Sequence, residues 1–293
     1  MTSREITITE EAIGRMAPGD ARFGQVMTSL IRHLHDFVRD VQLTEQEWMA
    51  AIQFLTQTGK TCTDKRQEFI LLSDTLGVSI LVDAINNRLP EGATEQTVLG
   101  PYYWEGAPEM PMGSDIAKGT VGEPCFYSGR ITDMNNRPIK GALLDIWSGD
   151  GEGNYDMQLG SNEMRARAKL VTGEDGRYWF RSIKPAYYPV PTDGPVGAML
   201  RAMGRHPNRP GHVHFILSAP GHRTIVTHIF PSDSPFLDSD TVFGVKDTLI
   251  AAFTRHEPGI APDGTRSDVP FHTCEYNFQL APAQQASQQQ RSA

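Results

Sequence analysis

The period of the hydrophobic pattern changes once along the chain, near Gly100, and no single layer of helices or of strands can accommodate both halves. Before that point apolar residues recur at steps of three and four. In residues 22–39, Phe23, Val26, Met27, Leu30, Ile31, Leu34, Phe37 and Val38 fall on one face of a helix. Thr44 and Glu47 have the spacing of a capping box, opening a second helix through Trp48, Ile52, Phe54 and Leu55. Residues 64–87 predict a third, strongly apolar helix that stops before Leu89-Pro90. After Gly100 the runs shorten and Gly and Pro punctuate them. GEPCFYSGRITDM, GALLDIWS, GRYWFRSI, HVHFILSA and TIVTHIF predict strands, with turn signals at Asn135-Asn136, Asp150-Gly151 and Asp175-Gly176. Val245 to Arg255 predicts one late helix. The expectation is therefore an α+β chain: a helical domain over residues 1–105, an antiparallel β-sandwich over 106–282, and a polar, low-complexity, disordered tail over 283–293.

Charge excludes several functions. Twenty-seven basic residues against 35 acidic ones give a net charge of −8, with no cationic excess to neutralise phosphates or an anionic membrane surface. The most apolar stretch, Phe69 to Ile85, is interrupted by Ser73, Asp74 and Asp83, so no membrane insertion is expected. The first residues, MTSREITITEEA, lack the basic-then-apolar order of a secretory signal, and Cys62, Cys125 and Cys274 are too scattered for a disulfide framework. A cytoplasmic protein is expected.

The segment Arg209-Pro210-Gly211-His212-Val213-His214-Phe215 carries the sharpest chemical signal. Two histidines at i and i+2 of a strand share a face, so their imidazoles can converge on one metal ion. Two histidines do not complete a site. A carboxylate is one candidate partner, although no acid here has a compelling spacing. Tyrosine is another, and Tyr155 and Tyr188 lie in loop-like surroundings. A phenol of pKa near 10 is held as phenolate near neutral pH only by a strongly Lewis-acidic ion. Ferric iron suits that role better than zinc or ferrous iron. Spacing alone does not single out these two among eight tyrosines.

Residues 97–250 resemble the intradiol ring-cleavage dioxygenases. The resemblance is carried by TVLGPYYWEGAP, GALLDIWSGDGEGNYD, GRYWFRSIKPAYYPVPTDGPVG, HPNRPGHVHF and THIF, in that order. The segment RQEFILLSDTLG further resembles the helical linker domain of the family's catechol and hydroxyquinol branch. The resemblance implies one Fe(III) per subunit held by Tyr155, Tyr188, His212 and His214, with Tyr188 and His214 axial. It implies catalytic roles for Tyr188, which dissociates as substrate binds, and for Arg209, which sits against the substrate ring. The cavity-lining positions would be Leu71, Asp74, Val98, Leu99, Gly100, Pro101, Tyr102, Arg209 and His228. Asp74 and His228 resemble the hydroxyquinol branch, because the catechol branch has an apolar residue or proline at the first and glutamine at the second.

The implied reaction cleaves hydroxyquinol (benzene-1,2,4-triol) with O2 to 3-hydroxy-cis,cis-muconate and hence maleylacetate. The alternative is catechol or a chlorocatechol, giving cis,cis-muconate. The implied assembly is a homodimer through the N-terminal helices, whose apolar faces also permit the phospholipid that some relatives hold there. A zinc hydrolase or a non-catalytic β-sandwich binding module would leave the joint presence of two tyrosines, two histidines and Arg209 unexplained.

Overall fold

The computed structural model describes residues 3–63, 66–160 and 163–283. Most of the expected tail therefore lies outside the described residues. Contacts group Met1–Lys60 as one compact unit and Thr61–Ala293 as a second.

The first unit contains α1 (Ser3–Gly14), α2 (Ala21–Asp40) and nearly all of α3 (Glu45–Thr61). Asp20 caps α2 by accepting from the Phe23 amide. The expected capping box opens α3: the Thr44 amide donates to Glu47 at 2.9 Å and the Glu47 amide to Thr44 Oγ1 at 3.3 Å. Helix α2 buries none of its side chains within the chain, and Phe23, Leu30, Leu34 and Phe37 stand exposed along it.

In the second unit the helix expected over 64–87 is two helices, α4 (Glu68–Thr75) and α5 (Val78–Asn86). Gly77, at φ 76°, separates them. A glycine in the left-handed region ends a helix at little cost, and that outweighs the unbroken apolar run. The strands are β1 (Pro124–Asp133), β2 (Leu143–Ser148), β3 (Arg167–Val171), β4 (Arg177–Ile183), β5 (Tyr188–Pro189), β6 (Asn208–Arg209), β7 (Val213–Ser218), β8 (Ile225–Pro231), β9 (Ile250–Ala251), β10 (Phe253–His256), β11 (Gly259–Ile260), β12 (Arg266–Ser267), β13 (Phe271–Glu275) and β14 (Phe278–Leu280). A helix α6 (Pro195–Ala202) follows β5. The helix expected over Val245–Arg255 is absent: a single 3-10 turn, Asp247–Leu249, leads into β9 and β10. Ile250 pairs with Phe230 and Phe253 with Cys274, so strand pairing overrides the local preference.

Two five-stranded sheets form the sandwich. One runs β10-β13-β1-β14 with β4 also on β1, and the other runs β3-β2-β7-β8-β9. The pairing is mostly antiparallel, as expected, but β13 and β14 lie parallel to β1, and β9 parallel to β8. Side chains from both sheets, among them Tyr127, Ile131, Leu144, Phe180, Phe215 and Ile229, form one buried cluster. Among the described residues no helix is long and apolar enough to cross a membrane.

Candidate metal centre and active site

The alternation of β7 sets the site. Val213, Phe215 and Leu217 join the sandwich core, which turns His212 and His214 to the opposite face of the sheet. Register then places Trp147 on one side of His214 and His228 on the other. The Trp147 ring stacks on His214 with centroids 4.5 Å apart.

Tyr155 reaches the same face from the loop after β2. Asp150 shapes that loop by accepting from the Glu152 amide at 2.9 Å and the Asn154 amide at 2.8 Å. Gly153, at φ 86°, lets it lie against the next tyrosine, since a Cβ there would come within 2.8 Å of Tyr187 O and Tyr188 Cβ. Immediately after Tyr155, Asp156 meets Arg167 in a fully buried two-pronged ion pair at 2.6 and 2.5 Å. Tyr188 comes from β5, whose register with β6 sets it beside Arg209.

Four polar atoms converge. Tyr155 Oη lies 2.8 Å from His214 Nε2 and 3.4 Å from His212 Nε2, and Tyr188 Oη lies 3.4 Å from His212 Nε2. Ligands on one ion at about 2 Å each are separated by roughly 3 Å, so this spacing fits a common metal. His212 Nδ1 lies 2.8 Å from the Pro210 carbonyl, which can only accept. The ring proton is therefore on Nδ1, and the Nε2 lone pair faces the phenols. Burial, reinforced by the Arg209 charge, lowers the His212 pKa to about 3. Burial, with the neighbouring histidines, lowers that of His214 well below the usual value. Both imidazoles are thus neutral and able to act as ligands. The Tyr155 phenol is pushed well above its usual range, by burial first and by Tyr188 next.

Arg209 is buried against this cluster. Its Nε and Nη2 face the two oxygens of Asp240 at 3.1 and 3.3 Å. Its Nη1 lies 3.4 Å from Tyr188 Oη and 3.3 Å from His212 Nε2. Burial works against ionisation of Asp240, but Arg209's charge and hydrogen bonds prevail and hold its carboxyl below the usual range.

His228 is fully buried beside the same cluster, and one nitrogen from each of His212, His214 and His228 lies within 4.8 Å of the others. Neither of its nitrogens has a hydrogen-bond partner in good geometry, and the Val98 backbone offers it a weak one. Its ring stacks on His212 at 20° with centroids 4.7 Å apart. Stacked imidazoles send their in-plane lone pairs along near-parallel lines, so this pair is poorly disposed to share an ion.

The other expected pocket residues divide. A Cβ on Gly100 would touch His214 at 3.4 Å, and Tyr102 stacks on Tyr155 with centroids 4.4 Å apart. Leu71 packs against Val190, Leu200 and Val242. Asp74 lies within electrostatic reach of Arg209 and Asp240. Burial raises its pKa, while a hydrogen bond from Ser79 and the Arg209 charge oppose the rise. Leu99 and Pro101 are exposed on the intervening loop.

Two participants were not foreseen. Asp240 lies 31 residues from Arg209, in a loop without periodicity. Glu68, fully buried, pairs with Arg66 and accepts from the Val196 amide at 3.2 Å, which ties α4 to the start of α6. A glutamate inside an apolar helical run was the available signal for the second.

Comparison with known proteins places the chain in a family. Residues 98–282 match the family model described as Dioxygenase, and residues 20–94 match Catechol dioxygenase N terminus. The chain is 52% identical to the 6-chlorohydroxyquinol 1,2-dioxygenase of Cupriavidus pinatubonensis, over 86% of this chain and 92% of the relative. It is 53% identical to the hydroxyquinol 1,2-dioxygenase of a Rhizobium species, over 85% of each. Among solved structures, hydroxyquinol 1,2-dioxygenase from Pseudomonas putida superposes with a TM-score of 0.90 at 45% identity, covering 95% of this chain and 99% of that one. Catechol 1,2-dioxygenase from Pseudomonas arvilla gives 0.82 at 29% identity, covering 100% and 96%. With both family models matched in order across 20–282, the chain belongs to the intradiol ring-cleavage dioxygenases.

Proposed function

We propose that the chain is a ferric-iron dioxygenase that opens hydroxyquinol with O2 to 3-hydroxy-cis,cis-muconate, which tautomerises to maleylacetate. The observation that carries the reading is the convergence of two buried phenols and two neutral imidazoles beside a buried arginine. Tyr155, Tyr188, His212 and His214 would hold one Fe(III) per subunit. That donor set fits: two buried phenols, of which burial holds Tyr155 protonated well past the usual range, suit a hard, strongly Lewis-acidic cation. When bound, the iron would supply the acidity that ionises the phenols and chelates the substrate's ortho-diol.

The chain's own groups do the rest. Tyr188 Oη, the phenol within reach of Arg209, would take up a proton from the substrate's diol. Arg209 places a fixed positive charge where negative charge develops on the ring, which is electrostatic stabilisation of the transition state. Gly100 and Tyr102 close over His214 and Tyr155 and exclude water.

Asp74 supports the triol over the diol. A half-buried carboxylate gains a charge-assisted hydrogen bond from a third ring hydroxyl and is left unpaired by catechol. Asp74→Ala should lower the triol-to-catechol ratio of kcat/KM by about 10- to 100-fold, the worth of one such bond. It should leave the iron content unchanged. An unchanged ratio, or an iron-free protein, would remove Asp74 from this role.

A zinc hydrolase built on the His212–His214 pair would leave Tyr155, Tyr188 and Arg209 without a role, and the stacking of His228 on His212 does not suit a three-histidine zinc site. The visible spectrum of purified protein, recorded with its iron content, separates the two. Phenolate on ferric iron gives a broad charge-transfer band that shifts on anaerobic addition of hydroxyquinol. An iron-loaded but colourless protein, or a zinc protein without the band, would sink the dioxygenase mechanism. Faster O2 uptake on catechol than on the triol would sink only the substrate.

The helical segment within residues 1–105 is, in the same reading, the dimerising part. Phe23, Val26, Leu30, Leu34, Phe37 and Val38 stand exposed along α2, an apolar stripe of the kind that an interface covers. A solution mass of two chains is expected, and a monomer at micromolar concentration would refute it.

A further inference from the structure

We propose that Asp240 is a positioning residue that aims Arg209, holding the Nε–Nη2 edge of the guanidinium so that Nη1 faces Tyr188 and His212. The proposal rests on the role given to Arg209 above. A guanidinium on a three-carbon stem has many rotamers, and a fixed charge is useful in catalysis only if it needs no reorganisation when the reaction begins.

The structure around Asp240 is built for this task. Its Oδ1 meets Arg209 Nε at 3.1 Å and its Oδ2 meets Nη2 at 3.3 Å. The carboxylate is itself pinned. Oδ2 accepts from the Gly244 amide at 2.9 Å, and Oδ1 faces the Val242 amide at 3.3 Å. The loop that presents it carries Phe236 at φ 69° and Phe243 at φ 58°. Bulky residues adopt that conformation only where their surroundings enforce it. Both flank Asp240 within four residues, and the Phe243 amide bonds back to the Asp240 carbonyl at 3.0 Å. Gly244 completes the clamp, because a Cβ there would lie 2.9 Å from Arg209 Nη2 and 3.1 Å from Asp240 Oδ2.

A cycle of Asp240→Asn, Arg209→Gln and the double variant tests the idea, with O2 uptake on hydroxyquinol by iron-loaded protein as the readout. Asp240→Asn keeps the shape but weakens the grip. Its kcat should fall about 10- to 100-fold, with KM changed only a few-fold and the iron content and visible band retained. Arg209→Gln should be at least as slow. If Asp240 works through Arg209, the double variant is no slower than Arg209→Gln alone. Losses that multiply, or loss of iron in Asp240→Asn, would overturn the proposal and make Asp240 a general structural residue. Wild-type kcat in Asp240→Asn would overturn it too. Wild-type kcat in Arg209→Gln would instead overturn the role given to Arg209 itself.

Gly244→Ala covers the case in which Asp240→Asn does not fold. It wedges the pair apart with the carboxylate still present, so it should also lower kcat while iron stays bound. A Gly244→Ala protein with wild-type kcat would count against the clamp.

Discussion

Tyr188→Phe should give a folded protein that has lost most of its visible colour, holds iron weakly and turns over slowly. The fold is expected to survive because the hydroxyl's contacts are weak, 3.4 Å to His212 and to Arg209 with a further one to Tyr155, while the ring keeps its place in the cluster with Trp147 and Tyr155. Losing those contacts costs less than about 1 kcal/mol. The metal site, under the proposed ligand set, loses one of two anionic donors. Turnover should fall by more than the roughly 10- to 100-fold that follows loss of a group merely supporting a metal ligand.

Tyr187→Phe is the control. Tyr187 is exposed and packs on Phe236, and its loss should leave colour and rate unchanged. The sign of the Tyr155 shift supplies a further check on Tyr188→Phe. Burial disfavours the Tyr155 phenolate, so in metal-free protein that residue stays protonated through the usual phenol range. Adding ferric iron at pH 7 should then release protons, and fewer from Tyr188→Phe than from wild type. Unchanged colour and proton release in that variant would mean that Tyr188 is not a ligand.

How much of this was legible in the sequence depended on whether a residue's partner was local. The His212–His214 pair could be read from strand periodicity alone, and the capping box at Thr44 from one three-residue step. The break at Gly77 was also written locally, as a glycine after Asp74-Thr75-Leu76, but the apolar run around it concealed the signal. Tyr155 and Tyr188 could not be chosen by spacing, because what brings them together is the register of β5 with β6 and the packing of Gly153 against Tyr188. Only the resemblance singled them out. His228 reaches the cluster because β7 and β8 pair it with His214, a fact about register that no single strand contains. The run Val245–Arg255 misled for the converse reason. Its residues tolerate a helix, and only the edges offered by β8 and β13 make strands of it. Asp240 was invisible because its meaning lies wholly in Arg209.

Arg167→Met should be the most destabilising single change near the site, and it should act on iron through Tyr155. Asp156 and Arg167 are buried side by side, joined by two short hydrogen bonds. Removing one member of such a pair strands the other charge and costs about 3–5 kcal/mol. In a chain of this size that lowers Tm by on the order of 10 °C. The stranded carboxylate keeps the Met157 and Arg165 amides as donors, at 2.9 and 3.0 Å, so the loop is loosened rather than lost. Tyr155 is the preceding residue, and a phenol displaced by even half an ångström from His214 no longer meets the ion squarely. Iron retention at 25 °C should therefore fall even where the protein remains folded. The double change Asp156→Asn with Arg167→Met removes both charges and should recover part of the stability, because no unpaired charge is left buried. It should recover less of the iron, because the anchor is still gone. That divergence separates a pair that merely stabilises the sandwich from one that holds the tyrosine. If stability and iron retention recover together, or if Arg167→Met changes neither, the pair has no particular role in placing Tyr155.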